Sequence, residues 1–218
     1  MSIEPTVIGV ELAEYIRAHA SGRDETLRLV EDETDAMGPE RIMQTAPEQA
    51  AFLELLVSLG PGRRAIEVGT FTGYGAIRIA RGLAEDGTLL CCELDPERAA
   101  VARRNVDRAG IGGKVEIRVG PAIETIRSLS EEPAFDFAYV DAEKTGYPDY
   151  YEALLPRMNP GGLLTFDNVF MGGRILDAEP DEGTAAMQGL NEQILGDARV
   201  DSVMLGMADG LTLARVRG

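Results

Sequence analysis

"RAIEVGTFTGYGA", residues 64–76, decides the fold. An apolar run from Arg64 to Val68 carries one carboxylate, Glu67, then meets glycines at 69, 73 and 75, and a helical spacing begins at Tyr74. Strand, glycine-rich turn and helix in that order read as the first unit of a βαβ array. Glycines there let backbone approach a ligand in the crevice above a parallel sheet. The spacing is G-x-x-x-G-x-G, not the G-x-G-x-x-G of a dinucleotide site. By itself it marks either a ligand loop or a tight turn.

Downstream, "TLLCCE" (88–93), "KVEIRV" (114–119), "FDFAYV" (135–140) and "GLLTFD" (162–167) are further runs of strand length. Between them the spacing predicts helices over 74–83, 96–109, 122–129 and 147–158. Asp95-Pro96-Glu97 supplies an N-cap with proline at the first helical position. Gly110 stands where a helix ends, and Pro160-Gly161-Gly162 reads as a break before the fifth strand. Strands alternating with helices predict an α/β fold with a doubly wound, mostly parallel sheet covered on both faces. Asp209-Gly210, between "VMLGM" (203–207) and "LTLARV" (211–216), signals a hairpin. The sheet is therefore expected to reach seven strands and close with an antiparallel one.

Upstream, residues 1–60 read as three helical pieces. Thr45-Ala46-Pro47-Glu48 looks like a capping box with Thr45 as N-cap, ahead of "AAFLELLVSL" (50–59) and Gly60. No repeat or low-complexity linker interrupts the chain. The expectation is one domain over 1–218, a helical preface followed by a doubly wound core from residue 64.

At 218 residues, 44% hydrophobic and 27% charged, the chain has the composition of a globular protein with a full core. No apolar run reaches membrane-span length, and the start lacks the basic and apolar regions of a signal peptide, so a cytoplasmic location is expected. A net charge of −16 argues against a nucleic-acid partner. Cys91 and Cys92 are neighbours in a strand and should face opposite sides of the sheet as small core residues, with no disulfide or metal role.

Two carboxylates sharpen the glycine loop. Burying Glu67 in a strand costs free energy unless a partner donates to it. Glu93 ends the second strand, where an acidic residue commonly accepts ribose hydroxyls. Both could instead be structural, as a salt-bridged residue and a solvated strand end. Together around one loop they favour a nucleoside ligand.

The later strand ends carry a second cluster. Asp141 closes the fourth strand and Asp167-Asn168 the fifth. Neighbouring parallel strands stand about 4.8 Å apart and open onto the same crevice as the glycine loop. Two carboxylates that close repel unless a cation lies between them. An all-oxygen set of Asp141, Asp167 and Asn168 suits a hard ion such as Mg²⁺. The plainer alternative is that both aspartates cap the helices that follow.

"IEVGTFTGYGA", "ELDPE", "VGPAIETI", "YVDAEKTGY" and "FDNVFMGG" stand in this order through the chain. With them the chain resembles the cation-dependent O-methyltransferases of the caffeoyl-CoA and catechol type, from about Ile42 to Arg217. The resemblance implies S-adenosylmethionine and a divalent metal on a doubly wound fold. It implies that Glu67, Gly69 and Thr70 hold the methionine part of the cofactor, that Glu93 takes the ribose and that Ala122 borders the adenine. Thr45 and Asp141 match further cofactor positions. At Gly75, where many relatives have serine, only a backbone contact remains. Asp141, Asp167 and Asn168 match the metal ligands.

Lys144 read from spacing alone is a surface lysine paired with Glu143 or Asp149. The resemblance makes it the catalytic base, with Asp141 beside it. A lysine partly desolvated near a dication gives up its proton more readily. The implied reaction is in-line attack of a phenol oxygen on the sulfonium methyl, with positioning supplying much of the rate. Ionisation matters because a free phenol has a pKa near 10.

The implied partner is a small hydroxylated aromatic, and the implied assembly a homodimer, with the N-terminal helices as one contact. Met43, Tyr147 and Phe170 are candidates to pack on the acceptor ring. Arg174 is a candidate grip on an acidic group, and 171–185 reads as a loop closing over the site. His19 is expected to be structural or exposed. Two rivals stay open: a nicotinamide-dependent dehydrogenase, and a cofactor-binding protein without catalysis.

Overall fold

In the computed structural model, which describes residues 8–218, seven strands form one sheet in the order β3-β2-β1-β4-β5-β7-β6. The strands are β1 (Arg64–Val68), β2 (Thr88–Glu93), β3 (Val115–Val119), β4 (Phe135–Val140), β5 (Met158–Asp167), β6 (Val200–Leu205) and β7 (Leu211–Val216). The first five run parallel, and β7 lies antiparallel to both β5 and β6. The antiparallel closure is the one expected from the Asp209-Gly210 turn. The expected helical preface begins in the first seven residues, which lie outside the described residues.

Eight α-helices flank the sheet among the described residues: α1 (Val10–Ala18), α2 (Glu25–Asp35), α3 (Pro47–Leu59), α4 (Tyr74–Gly82), α5 (Pro96–Arg108), α6 (Ala122–Ser128), α7 (Tyr147–Leu154) and α8 (Glu182–Gly196). Asp24, Asp95 and Asp181 cap α2, α5 and α8 by accepting backbone N–H groups, each worth about 1 kcal/mol. None of these helices is long and apolar enough to cross a membrane.

Strand alternation divides the core in two. Ala65, Leu89, Cys91, Phe137 and Tyr139 face α2 to α5, whereas Ile66, Val68, Leu90, Cys92, Val140 and Phe166 face α6 to α8. Cys91 and Cys92 therefore point to opposite faces, as free buried thiols. The same parity puts Glu67, Tyr139 and Asp141 on the α3/α4 side of the sheet's carboxyl edge.

Three local expectations change. β5 begins at Met158 and runs through Pro160-Gly161-Gly162, which does not break the chain. A register shift between Phe135 and Phe137 makes an irregularity that takes up these residues, with Gly161 at φ 81°. The preceding helix accordingly stops at Leu154 and gives way to a short 3₁₀ turn. Thr45 does not cap α3: the N-cap is Ala46, without a side-chain bond, and the Thr45 hydroxyl turns to Tyr139 instead.

Residues 171–185 are the third change. Met171–Leu176 forms a 3₁₀ segment with Gly172 and Gly173 at positive φ, and α8 starts at Glu182. Gln188 donates to the carbonyls of Ile175 and Asp177, both at 3.0 Å, and so fastens this segment to α8. What read as one aperiodic loop is a 3₁₀ segment and the start of α8, with an irregular stretch over 177–181 between them.

Candidate active site

β1 lies between β2 and β4, so the strand order reverses there and a crevice opens at the strands' carboxyl ends. Gly69 sits at its lip. Its N–H donates to the Cys92 carbonyl at 2.9 Å, and Asp141 N–H donates to the Val68 carbonyl at 2.8 Å. A Cβ at position 69 would lie 2.0 Å from the Asp141 carbonyl oxygen, and φ is +87°. Only glycine closes the two strand ends this tightly.

The loop that follows is tied from three sides. Glu93 accepts from the N–H groups of Thr70 (3.0 Å), Phe71 (2.7 Å) and Asp95 (3.0 Å), joining the ends of β1 and β2. Asn105 of α5 donates to the Thr72 carbonyl at 2.9 Å, and Thr34 of α2 meets the Thr72 hydroxyl at 2.9 Å. Arg98 stacks over Phe71, 5.5 Å from its ring centre. Such fixing keeps the loop and its one non-glycine residue at positive φ, Phe71 at 50°, in place.

Under the loop lies Glu67, almost fully buried. Burial raises its carboxyl to about 8, and the charges of Asp141 and Glu93 add to that. Glu67 Oε2 and the buried Thr70 hydroxyl both lack a hydrogen-bond partner. A Cβ at Gly75 would stand 2.6 Å from Glu67 Oε1 and 3.3 Å from Thr45 Oγ1. A carboxyl and a hydroxyl left unpaired beside backbone without side chains fit the polar end of an amino-acid-bearing cofactor.

The second cluster gathers at the ends of β4 and β5. The Tyr139 hydroxyl donates to Asp167 Oδ2 at 2.7 Å and lies 3.5 Å from Asp141 Oδ2, so both carboxylates converge on one oxygen. Asp167 also accepts the N–H of Asn168 at 2.6 Å. Asn168 has φ 57°, a left-handed conformation that asparagine tolerates better than most residues. Burial, helped by the Asp141 charge, raises Asp167 to about 7. The Lys144 ammonium donates to Asp141 Oδ1 at 3.0 Å and to the Tyr147 hydroxyl at 2.9 Å, while Tyr147 donates to the Val140 carbonyl at 3.1 Å.

Among the described residues no group of three His, Cys, Asp or Glu side chains is placed to hold a metal. The third expected donor here is an asparagine oxygen. Two close carboxylates with an amide beside them, all oxygen donors, fit a hard divalent cation.

Both clusters open on one cavity of about 1340 Å³. A single drug-sized ligand takes about 300–1,000 Å³, so there is room for a donor and an acceptor. Thr45, Gly69, Thr70, Gly75, Glu93, Ala122, Asp141, Lys144, Asp167 and Asn168 all line it, and Met43 does too. Glu67 stands behind the wall at Gly75.

Other expected contacts do not reach the cavity wall. Tyr147 is fully buried beneath Lys144. Phe170 packs under the turn at Gly210, where an added Cβ would meet its ring at 2.7 Å. Arg174 is half-exposed and faces Asp181 at 3.8 Å. His19, by contrast, is where the sequence put it, an exposed residue capping the end of α1 and stacked on Tyr15.

The site also holds residues that the sequence reading passed over. Gln49 lies in the first turn of α3, three residues after its Ala46 N-cap, and Tyr139 precedes Asp141 by two, the same face of a strand; the latter spacing was an available signal. Arg98 and Tyr150 line the cavity with no comparable sequence sign.

Residues 18–217 match the family described as O-methyltransferase. The catechol O-methyltransferase of Niastella koreensis is 38% identical over 185 residues, 80% of this chain and 83% of that protein. The caffeoyl-CoA O-methyltransferase 2 of Zea mays is 33% identical over 196 residues, 84% of this chain and 74% of that protein. The crystal structure of the O-methyltransferase TomG from Streptomyces achromogenes, in complex with SAM, superposes with a TM-score of 0.88. It is 30% identical and covers 95% of this chain and 96% of that one.

Proposed function

The chain belongs to the O-methyltransferase family and is an S-adenosylmethionine-dependent enzyme, and from that premise we propose that it methylates one hydroxyl of a catechol-like small molecule with the help of a hard divalent cation such as Mg²⁺. One observation carries this reading: Asp141 and Asp167 meet at a single hydroxyl, with Lys144 on Asp141, on the wall of the cavity that holds the cofactor loop. A structural pair of aspartates would not need to face a cavity. The family match sets aside the nicotinamide-dependent alternative.

When bound, S-adenosylmethionine supplies a sulfonium-activated methyl group. Glu67, Gly69 and Thr70 would receive its amino-acid end, Glu93 the ribose, and Ala122 the adenine side, with Thr45 and the backbone of Gly75 alongside. A cation held by Asp141, Asp167 and Asn168 supplies positive charge, which lowers the cost of ionising a nearby phenol.

Lys144, after its ammonium has released one proton to solvent, takes the phenol's proton at Nζ. A neutral amine keeps two N–H groups for its two present acceptors, Asp141 and the Tyr147 hydroxyl, and has one lone pair left for that proton. Asp141 holds the amine in place on one side and the buried tyrosine on the other. The remaining task is alignment of acceptor oxygen, methyl carbon and sulfur, which the fixed loop and the rigid strand ends provide. The exposed apolar side chains of α1, Val10 and Tyr15 among them, support association of two copies through the N-terminal helices.

The test is a panel of small aromatics incubated with S-adenosylmethionine, and either Mg²⁺ or a chelator. Ortho-dihydroxy acids, amines and amino acids should be methylated with Mg²⁺ and not with chelator, whereas their meta isomers and monohydroxy analogues should stay unmodified. Equal methylation of the meta isomers, or transfer undiminished by chelator, would contradict the proposal.

A further inference from the structure

Tyr139 is wholly buried, yet its hydroxyl is the point where three elements meet. It donates to Asp167 Oδ2 of β5 at 2.7 Å. Gln49 of α3, 1% exposed, donates to it from Nε2 at 3.2 Å, and Thr45 Oγ1 stands 3.3 Å away. The direction of this chain is fixed by chemistry. With Asp167 ionised, as a cation ligand must be, the carboxylate only accepts and the amide nitrogen only donates, so the phenol's one proton goes to Asp167 and its lone pairs face Gln49 and Thr45.

Asp167 is thereby held at both oxygens, Oδ2 by Tyr139 and Oδ1 by the N–H of Asn168. A ligand carboxylate held in one rotamer loses less freedom when it binds a cation. The 3.5 Å approach to Asp141 Oδ2 places the same hydroxyl between both aspartates.

We propose that Tyr139, steadied by Gln49, is a positioning residue that sets the orientation of Asp167 for the divalent cation and links α3 to the metal-binding edge of the sheet. This rests on the metal reading above. Phenylalanine at 139 would fill the same space and pack the same ring, but Asp167 Oδ2 would lose its donor and Gln49 its acceptor. Neither Tyr139 nor Gln49 needs to touch the cation for this to act.

The experiment measures Mn²⁺ affinity by titration calorimetry, beside S-adenosylmethionine affinity and thermal melting, for the wild type, Tyr139→Phe and Gln49→Leu. Removing such a supporting hydrogen bond weakens metal affinity by about 10- to 100-fold, and that loss is expected in Tyr139→Phe. Gln49→Leu should show a smaller loss of the same sign, and cofactor affinity should be unchanged in both. A merely structural tyrosine would lower the melting temperature and weaken both ligands together, which would overturn the inference. Undiminished Mn²⁺ affinity in folded Tyr139→Phe would overturn it as well. A wild type that binds no Mn²⁺ would overturn the metal reading along with it. If Tyr139→Phe does not fold, Gln49→Leu decides by the same two affinities.

Discussion

Replacing Lys144 by alanine is expected to lower turnover by about 10²- to 10⁴-fold, the range for a lost general acid–base group, while S-adenosylmethionine still binds. The expectation comes from where the amine is held. Lys144 Nζ sits 3.0 Å from Asp141 and 2.9 Å from the Tyr147 hydroxyl, and it lines the cavity. Its ring contact with Tyr147, 4.9 Å from the centroid, restrains the stem further. Truncation removes the proton acceptor without touching the glycine loop or Glu93. Turnover in Lys144→Ala should recover as the assay pH rises toward ionisation of the phenol, which lies near 10 in free solution and lower beside the cation, because the acceptor then ionises without the lysine. A wild-type rate at neutral pH, or a loss of equal size at every pH, would remove lysine from the proton transfer.

Replacing Asp141 by alanine should have the larger effect. One substitution removes a proposed cation ligand and the carboxylate that holds Lys144, so metal-dependent methylation should fall to background. The backbone at 141 pairs with Val68 and packs on Gly69, and these contacts do not involve the side chain. Cofactor binding and folding should therefore persist. Asp141→Ala and Lys144→Ala combined should cost little more than the former alone, since groups acting as one unit are not additive. Normal Mg²⁺-dependent turnover in Asp141→Ala would refute its assignment as a ligand.

The sheet was legible because its signals are periodic and local. Strand runs, the Asp95-Pro96 cap and the Asp209-Gly210 turn each act within a few residues, and alternation with helices implies a parallel sheet. The errors arose where a distant partner overrode a local preference. Pro160-Gly161-Gly162 has the chemistry of a break, but the irregular pairing of β4 with β5 admits it into a strand. Thr45 has the chemistry of a cap, but Tyr139, far along the chain, takes its hydroxyl.

Gly183 and Gly189 weaken the helical pattern of α8, which its Asp181 cap and its packing against α7 restore. Tyr147 illustrates a further limit. Its position three residues after Lys144 marks it as a neighbour, but spacing does not say whether the ring lies above the amine in the cavity or beneath it in the core. The structure places it beneath, fully buried.

The measurement closest to the central claim is anomalous diffraction from crystals grown with Mn²⁺ and S-adenosylhomocysteine. The account predicts one strong manganese peak between β4 and β5, with side-chain oxygens of Asp141, Asp167 and Asn168 at about 2.0–2.6 Å, the range hard divalent cations take. Manganese bound only elsewhere, or none bound while methyl transfer runs at full rate in the same buffer, would contradict it.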